Sequence, residues 1–147
     1  MAVTLVAVCA VVLSILVWNK RRRDIREMER HSITPEALYA LLACSRDVLV
    51  FDVREPLDLL IDSEIIPGAI RLAPREACED PSLVPKEKET VVYCTCPSDE
   101  TSRAILHRAL AAGYVRIKFL KGGLEGWKLK GYPVEPYKES FHLDTGT

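Results

Sequence analysis

The stretch "YCTCPSDETSR", residues 93–103, sets Cys94 and Cys96 one residue apart, where an apolar run stops and a helical pattern starts. A thiol works as a nucleophile only as its thiolate, which is favoured where loop N–H groups and a helix N-terminus converge on the sulfur. A strand, a cysteine, a loop and a helix in that order supply such a field. The same cradle can hold a persulfide or an oxyanion passing to or from sulfur. Sulfur transfer, phosphate or arsenate chemistry and thiol redox are all open on this local evidence. The candidate nucleophiles are Cys96 and Cys94, and the candidate substrate-binding loop comprises Ser98, Asp99, Glu100, Thr101, Ser102 and Arg103. A C-x-C pair offers two metal ligands at most, and His31, His107 and His142 stand at no ligand-like offset from it, so neither a metal nor a cofactor is expected.

The elements that position this loop follow from periodicity and punctuation. "SITPEALYALLA" predicts a helix capped by Thr34 with Pro35 at its first position, and Leu38, Leu41 and Leu42 form its apolar face. "DVLVFDV", "AIRL", "TVVYCT" and "YVRIKFL" are short, β-branched, apolar runs of the kind found in strands covered on both sides. Between them the pattern predicts a short helix over Arg54–Asp62, a turn at Pro67–Gly68, and a helix over Ser102–Ala112 that ends at Gly113. "KGGLEGWKLKGYPVEP" is a glycine turn followed by a short helix carrying Trp127, a core or docking residue. Strands separated by helices imply right-handed crossovers and a mainly parallel sheet with helices on both faces. Ligands of such sheets sit at the carboxyl ends of the strands, where the two cysteines fall.

Ahead of this α/β pattern, Ala2–Trp18 contains no charge and only Thr4 and Ser14 as polar residues. As a helix it reaches roughly 26 Å, near the hydrocarbon thickness of a bilayer. "KRRR" follows the run, where a secretory signal would place charge before it, so residues 1–18 are expected to be a single-pass transmembrane anchor. By the positive-inside rule the N-terminus then faces out and the domain lies in the cytoplasm. Residues 19–30 hold six basic and three acidic side chains, net +3, and are expected to form a basic juxtamembrane stalk. The whole chain is −1, so the remainder is −4 and a poor match for nucleic acid. The folded domain is assigned to residues 31–137 and a tail to 138–147.

With those elements in place, the chain resembles the rhodanese-like (sulfurtransferase) domain family. The resemblance is carried by "ITPEALYALL" leading into "VLVFDVREP", then "IPGAIRL", then "VVYC" before a helix ending in "AAGY", and "FLKGGLEGWKLKGYPV", in the family's order over roughly residues 32–136. It implies a mostly parallel five-stranded sheet and a cysteine that takes sulfane sulfur as a persulfide. The sulfur would then pass to a thiol or cyanide acceptor, with thiosulfate or another persulfide as donor. The family loop commonly reads cysteine, four residues, arginine, serine and then helix. With Ser102 as that serine the cysteine is Cys96, and Thr101 stands in the arginine position. Counting from "VVYC" selects Cys94 instead and lengthens the loop by two residues. Cys96 is favoured, because its spacing to the helix matches and Cys94 suits a buried position in the strand, from which it could resolve a persulfide.

Departures from the family pattern oppose full activity. Asp99 and Glu100 replace glycine and a basic residue, Arg103 comes two places late, and Pro97 removes one N–H donor. Carboxylates beside the cradle repel thiosulfate and disfavour the thiolate. The same acids would also suit the positive end of a helix, without any catalytic part. A binding or regulatory module at the membrane, reduced in catalysis, is therefore the alternative to a membrane-anchored sulfurtransferase. Phosphatase or arsenate chemistry needs an arginine clamp at a spacing that Arg103 does not meet. Asp52 and Arg54 of "DVREP" are expected to be architectural, and His107 and Arg103 to lie on the solvent side of their helix.

Overall fold

The structure, a computed structural model, describes residues 2–45, 47–95 and 100–138; the side chains of residues 2–5, 77, 78, 81 and 100–103 lie outside that description. The chain divides into two compact units, Met1–His31 and Ser32–Thr147.

The first unit is one helix, α1 (Ala2–Arg30), continuous through the charged segment. Its side chains from Val6 to Arg23 are all exposed. Ser14, polar within an apolar stretch, donates its hydroxyl to the carbonyl of Ala10 at 2.8 Å, and Arg22 stacks its guanidinium 4.0 Å from the centre of the Trp18 ring. Among the described residues no helix is long and apolar enough to cross a membrane. In α1 the described side chains begin at Val6, and four consecutive basic residues start at Lys20.

The second unit is built on a five-stranded sheet. In chain order its elements are β1 (Ser32–Ile33), α2 (Pro35–Cys44), β2 (Val48–Asp52), α3 (Pro56–Ile61), β3 (Glu64–Ile65) and β4 (Ile70–Arg71). There follow α4 (Pro74–Glu79), β5 (Glu89–Tyr93), α5 (Glu100–Ala111), β6 (Ile117–Leu120), α6 (Gly123–Leu129) and β7 (Glu135–Pro136). The sheet order is β1-β6-β5-β2-β4 and every pairing in it is parallel. The expected α/β sheet is thus present, and all its carboxyl ends lie along one edge. A second, antiparallel pair joins β3 to β7.

Periodicity finds four of the five strands. The missing one, β1, has two residues, and it exists through pairing of Ile33 with Leu120, far along the chain. The α2 start is as read: the Thr34 hydroxyl accepts from the Ala37 N–H at 3.3 Å and Pro35 occupies the first turn. Leu38 is fully buried, with Val50, Val91, Leu124 and Trp127 in one core on that side of the sheet. Phe51, Val92, Ile105, Ala109 and Ile117 are buried in turn, with Ile105 and Ala109 coming from α5. Gly113 has φ +85°, the left-handed residue that ends α5.

The short helix predicted over Arg54–Asp62 is narrower, Pro56–Ile61. A residue before proline is pushed out of the helical region, and Glu55 accordingly has φ −63° and ψ 150°. Arg54 is left outside the helix to serve the sheet. It is 2% exposed and Asp52 1%, two opposite charges side by side in the interior. The Arg54 Nε donates to both Asp52 carboxylate oxygens at 3.0 Å, and one terminal nitrogen adds a 2.6 Å bond to Oδ2. The remaining guanidinium donors reach the carbonyls of Asp62 at 2.9 Å and Glu64 at 2.8 Å. The Tyr93 hydroxyl donates to Asp52 Oδ2 at 3.1 Å and accepts from the Ile66 N–H at 3.3 Å. Burial opposes the Arg54 charge, but the hydrogen bonds and charge of Asp52 outweigh it and hold the Arg54 pKa above its ordinary value. Burial first, and then the charge of Asp52, raise the Tyr93 pKa, so its hydroxyl stays a donor.

Asp52 and Arg54 are therefore architectural, as read from sequence: one ion pair joins the ends of β2 and β5 to the segment entering β3. Arg54→Met leaves a buried carboxylate without its partner and is expected to cost about 3–5 kcal/mol. In urea unfolding, Asp52→Asn and Arg54→Met together should cost clearly less than the sum of the two singles. Additive losses would mean that the pair is not coupled.

Candidate functional site

The loop of interest begins where β5 ends. The strand stops at Tyr93, not at Thr95 as the apolar run suggested, and Cys94 and Thr95 have left the sheet. The cause is non-local. Gly122 and Gly123 open α6 with φ +76° and +55°, and a Cβ on Gly123 would lie 2.0 Å from the Cys94 carbonyl oxygen. Backbone at the start of α6 thus packs directly against the Cys94 carbonyl, where β5 ends. Gly126 is constrained less severely, since a Cβ there would fall 2.9 Å from the Lys121 carbonyl oxygen. In "KGGLEGW" all three glycines are fixed by this close approach of backbone to backbone. Gly122 and Gly126 pack within their own turn, and Gly123 alone of the three meets Cys94, which the sequence did not show.

From the other side α3 holds the loop. The Thr95 hydroxyl donates to Asp58 Oδ2 at 2.8 Å. Cys94 is half-buried beyond the end of β5, not a buried strand residue as expected, and Thr95, between the two cysteines, is exposed. Asp58 was not among the expected site residues; the signal was its polar side chain in an otherwise apolar "PLDLLI". The two ends of α3 are tied down differently. Asp62 and Glu64, just beyond it, share the ammonium of Lys128 from α6, at 2.6 Å and 2.5 Å. Slight burial opposes the Asp62 charge, but the hydrogen bond from Lys128 prevails and lowers its pKa, while that of Lys128 is raised for the reciprocal reason.

Cys96, Ser98 and Asp99 lie outside the described residues, as does Pro97. The backbone of Glu100, Thr101, Ser102 and Arg103 forms the first turn of α5, which starts two residues before the predicted Ser102; their side chains lie outside the description. His107 is exposed, and Trp127 is buried with its Nε1 donating to the Pro133 carbonyl at 2.8 Å. The described part of the site is thus the exit from β5 at the carboxyl edge of a parallel sheet, clamped by α6 and α3 and followed within a few residues by a helix N-terminus. That is the setting in which a loop cysteine meets converging amides.

A family model for the rhodanese-like domain matches residues 34–130. The chain belongs to the rhodanese-like domain family. A protein of Allochromatium vinosum named sulfurtransferase is 32% identical over 104 residues, 71% of this chain and 94% of that protein. Among solved structures, a rhodanese-related protein from Thermoplasma volcanium is 27% identical, with TM-score 0.58 over 71% of this chain and 97% of that one. The full-length protein from Lactobacillus plantarum, 24% identical, reaches TM-score 0.67 over 80% and 98% of the two chains and bears on the fold. In this rhodanese-like domain the matched span runs from the Thr34 cap to the end of α6, so it takes in the ion pair, the exit of β5 and the glycine, Gly123, that lies against it.

Gly123→Ala is expected to destabilise the domain by about 2–4 kcal/mol, because overpacking against backbone adds to a left-handed φ. Gly68→Ala, at φ +76° with open space around it, should cost only about 1 kcal/mol. Urea denaturation of the two variants separates close approach from backbone conformation, and equal losses would contradict the clamp.

Proposed function

We propose that this chain is a membrane-anchored sulfurtransferase that carries sulfane sulfur on Cys96. The observation that carries the reading is the exit of β5: Cys94 and Thr95 leave a parallel sheet at its carboxyl edge, with four residues between Thr95 and the helical start at Glu100. The family and the relative named sulfurtransferase support it. In the proposed reaction the Cys96 thiolate attacks the outer sulfur of a donor persulfide. A sulfur–sulfur bond forms on Cys96, the donor's own bond breaks, and the donor leaves as thiolate. An acceptor thiolate or cyanide then takes that outer sulfur and restores Cys96. With thiosulfate as donor, sulfite is the leaving group. Cys94 could instead attack Cys96, expelling hydrosulfide and leaving a disulfide that an external thiol must reduce.

The alternative, a regulatory module of reduced activity, is favoured by one feature, the acids Asp99 and Glu100 where the family offers glycine and a basic residue. The same acids disfavour thiosulfate relative to persulfides of lower charge. Membrane anchoring is part of the proposal. Ala2–Trp18 is uncharged in sequence, α1 is helical from Ala2, its side chains from Val6 to Arg23 are exposed, and Ser14 satisfies its hydroxyl within the helix. With Lys20–Arg23 held at the inner surface, the domain would face the cytoplasm.

Two measurements test the reading. Sulfur transfer from glutathione persulfide to cyanide should vanish in Cys96→Ala and persist in Cys94→Ala; no transfer by the wild type would favour the regulatory alternative. On alkaline-carbonate extraction of membranes, the full chain should stay in the pellet, and a chain lacking residues 2–18 should appear in the supernatant. A full chain that is extracted would refute the anchor.

A further inference from the structure

The helix that holds the cysteine loop is turned the wrong way out. Leu57, Leu60 and Ile61 of α3 are 68%, 52% and 86% exposed, and their i, i+3, i+4 spacing sets them on one face. Only Leu59 of this helix is buried, and Asp58 reaches the loop through Thr95. An outward apolar stripe on a helix that touches the loop between two cysteines marks an interaction surface.

Its charge selects the occupant. Residues 55–64 contain Glu55, Asp58, Asp62 and Glu64 and no basic residue, and one ammonium, Lys128, serves the last two. Asp99 and Glu100 add two more carboxylates to the neighbouring loop in sequence. Acids flank this apolar stripe in sequence, so it repels anionic lipid and small anionic donors, and paired with its own copy it would set like charges together. We infer that α3 docks a partner protein that presents an apolar tip ringed by Lys and Arg next to a thiol or persulfide, so that sulfur passes between proteins at this edge. The thiol part rests on the sulfurtransferase reading; the docking surface rests on α3 alone.

Two synthetic peptides serve as probes, each with Leu, Phe and one cysteine, flanked in one by Lys and Arg and in the other by Asp and Glu. The full chain in neutral-lipid nanodiscs should bind the fluorescent basic peptide at least about tenfold more tightly than the acidic one, and binding should weaken with salt. Ile61→Glu and Leu60→Glu should each weaken it about tenfold, the loss expected of a central apolar anchor. Val115→Glu, a control exposed by 72% ahead of β6 and hence at the opposite end of the sheet, should not. With both peptides persulfidated, transfer to the chain should show the same preference, while transfer from glutathione persulfide should be equal in wild type and Ile61→Glu.

Equal binding of the two peptides, or a preference that survives Ile61→Glu, overturns the proposal. So does amide-exchange protection of α3 by the nanodisc without peptide, which would make it a lipid contact. Self-association lost in Ile61→Glu would equally overturn it, making the surface a dimer interface. Peptide binding of the expected kind without sulfur transfer keeps the docking surface and removes the sulfurtransferase reading. Transfer from glutathione persulfide without peptide preference does the reverse.

Discussion

A guanidinium and a carboxylate buried side by side determine how the carboxyl edge of this sheet is built. Such a pair is costly to desolvate, and it persists only where geometry and further hydrogen bonds satisfy both groups. Asp52 and Arg54 meet that condition by recruiting the Tyr93 hydroxyl and two carbonyls of the segment entering β3. The consequence is positional. Asp52 ends β2 and Tyr93 ends β5, so the pair fixes the strand terminus from which Cys94 departs, and with it the stretch through Glu64 that follows α3. Charge desolvation is here converted into placement of a loop two residues away.

Around that fixed point the loop is confined by contacts of opposite character. On one side there is no side chain at all: Gly123 lets backbone press on the Cys94 carbonyl. On the other a single hydrogen bond, Thr95 to Asp58, links the loop to a short helix whose remaining surface is apolar and exposed. The rigid contact and the lighter one divide the work. The first fixes where the loop starts, and the second connects it to the exposed apolar face of α3.

How much of this could be read in the sequence depends on the range of the interaction concerned. Thr34 followed by Pro35, and Gly113 after an apolar helix, act on their immediate neighbours, and both stand where local chemistry puts them. The parallel core strands were legible because burial on both faces leaves continuous apolar runs. The two-residue strands β1, β3 and β7 were not, since each exists only through a partner at least dozens of residues away. For the same reason the end of β5 was misplaced: nothing in "VVYCT" says that α6 will lie against Cys94. The ion pair was expected as architecture from "DVREP", but its carbonyl partners at Asp62 and Glu64 come from a segment with no pattern of its own. At the site, Cys96 lies outside the described residues, and the roles of Asp58 and Gly123 beside Cys94 and Thr95 were not legible in the sequence.

Sulfur transfer by this chain requires that Cys96 accept another sulfur despite the acids that follow it in sequence. The most direct measurement is mass spectrometry of the folded full chain after exposure to glutathione persulfide, with fragmentation inside the peptide that carries both cysteines. One added sulfur atom on Cys96, removed again by cyanide, is the predicted result. Both thiols left unmodified in a folded, amide-protected domain would contradict it.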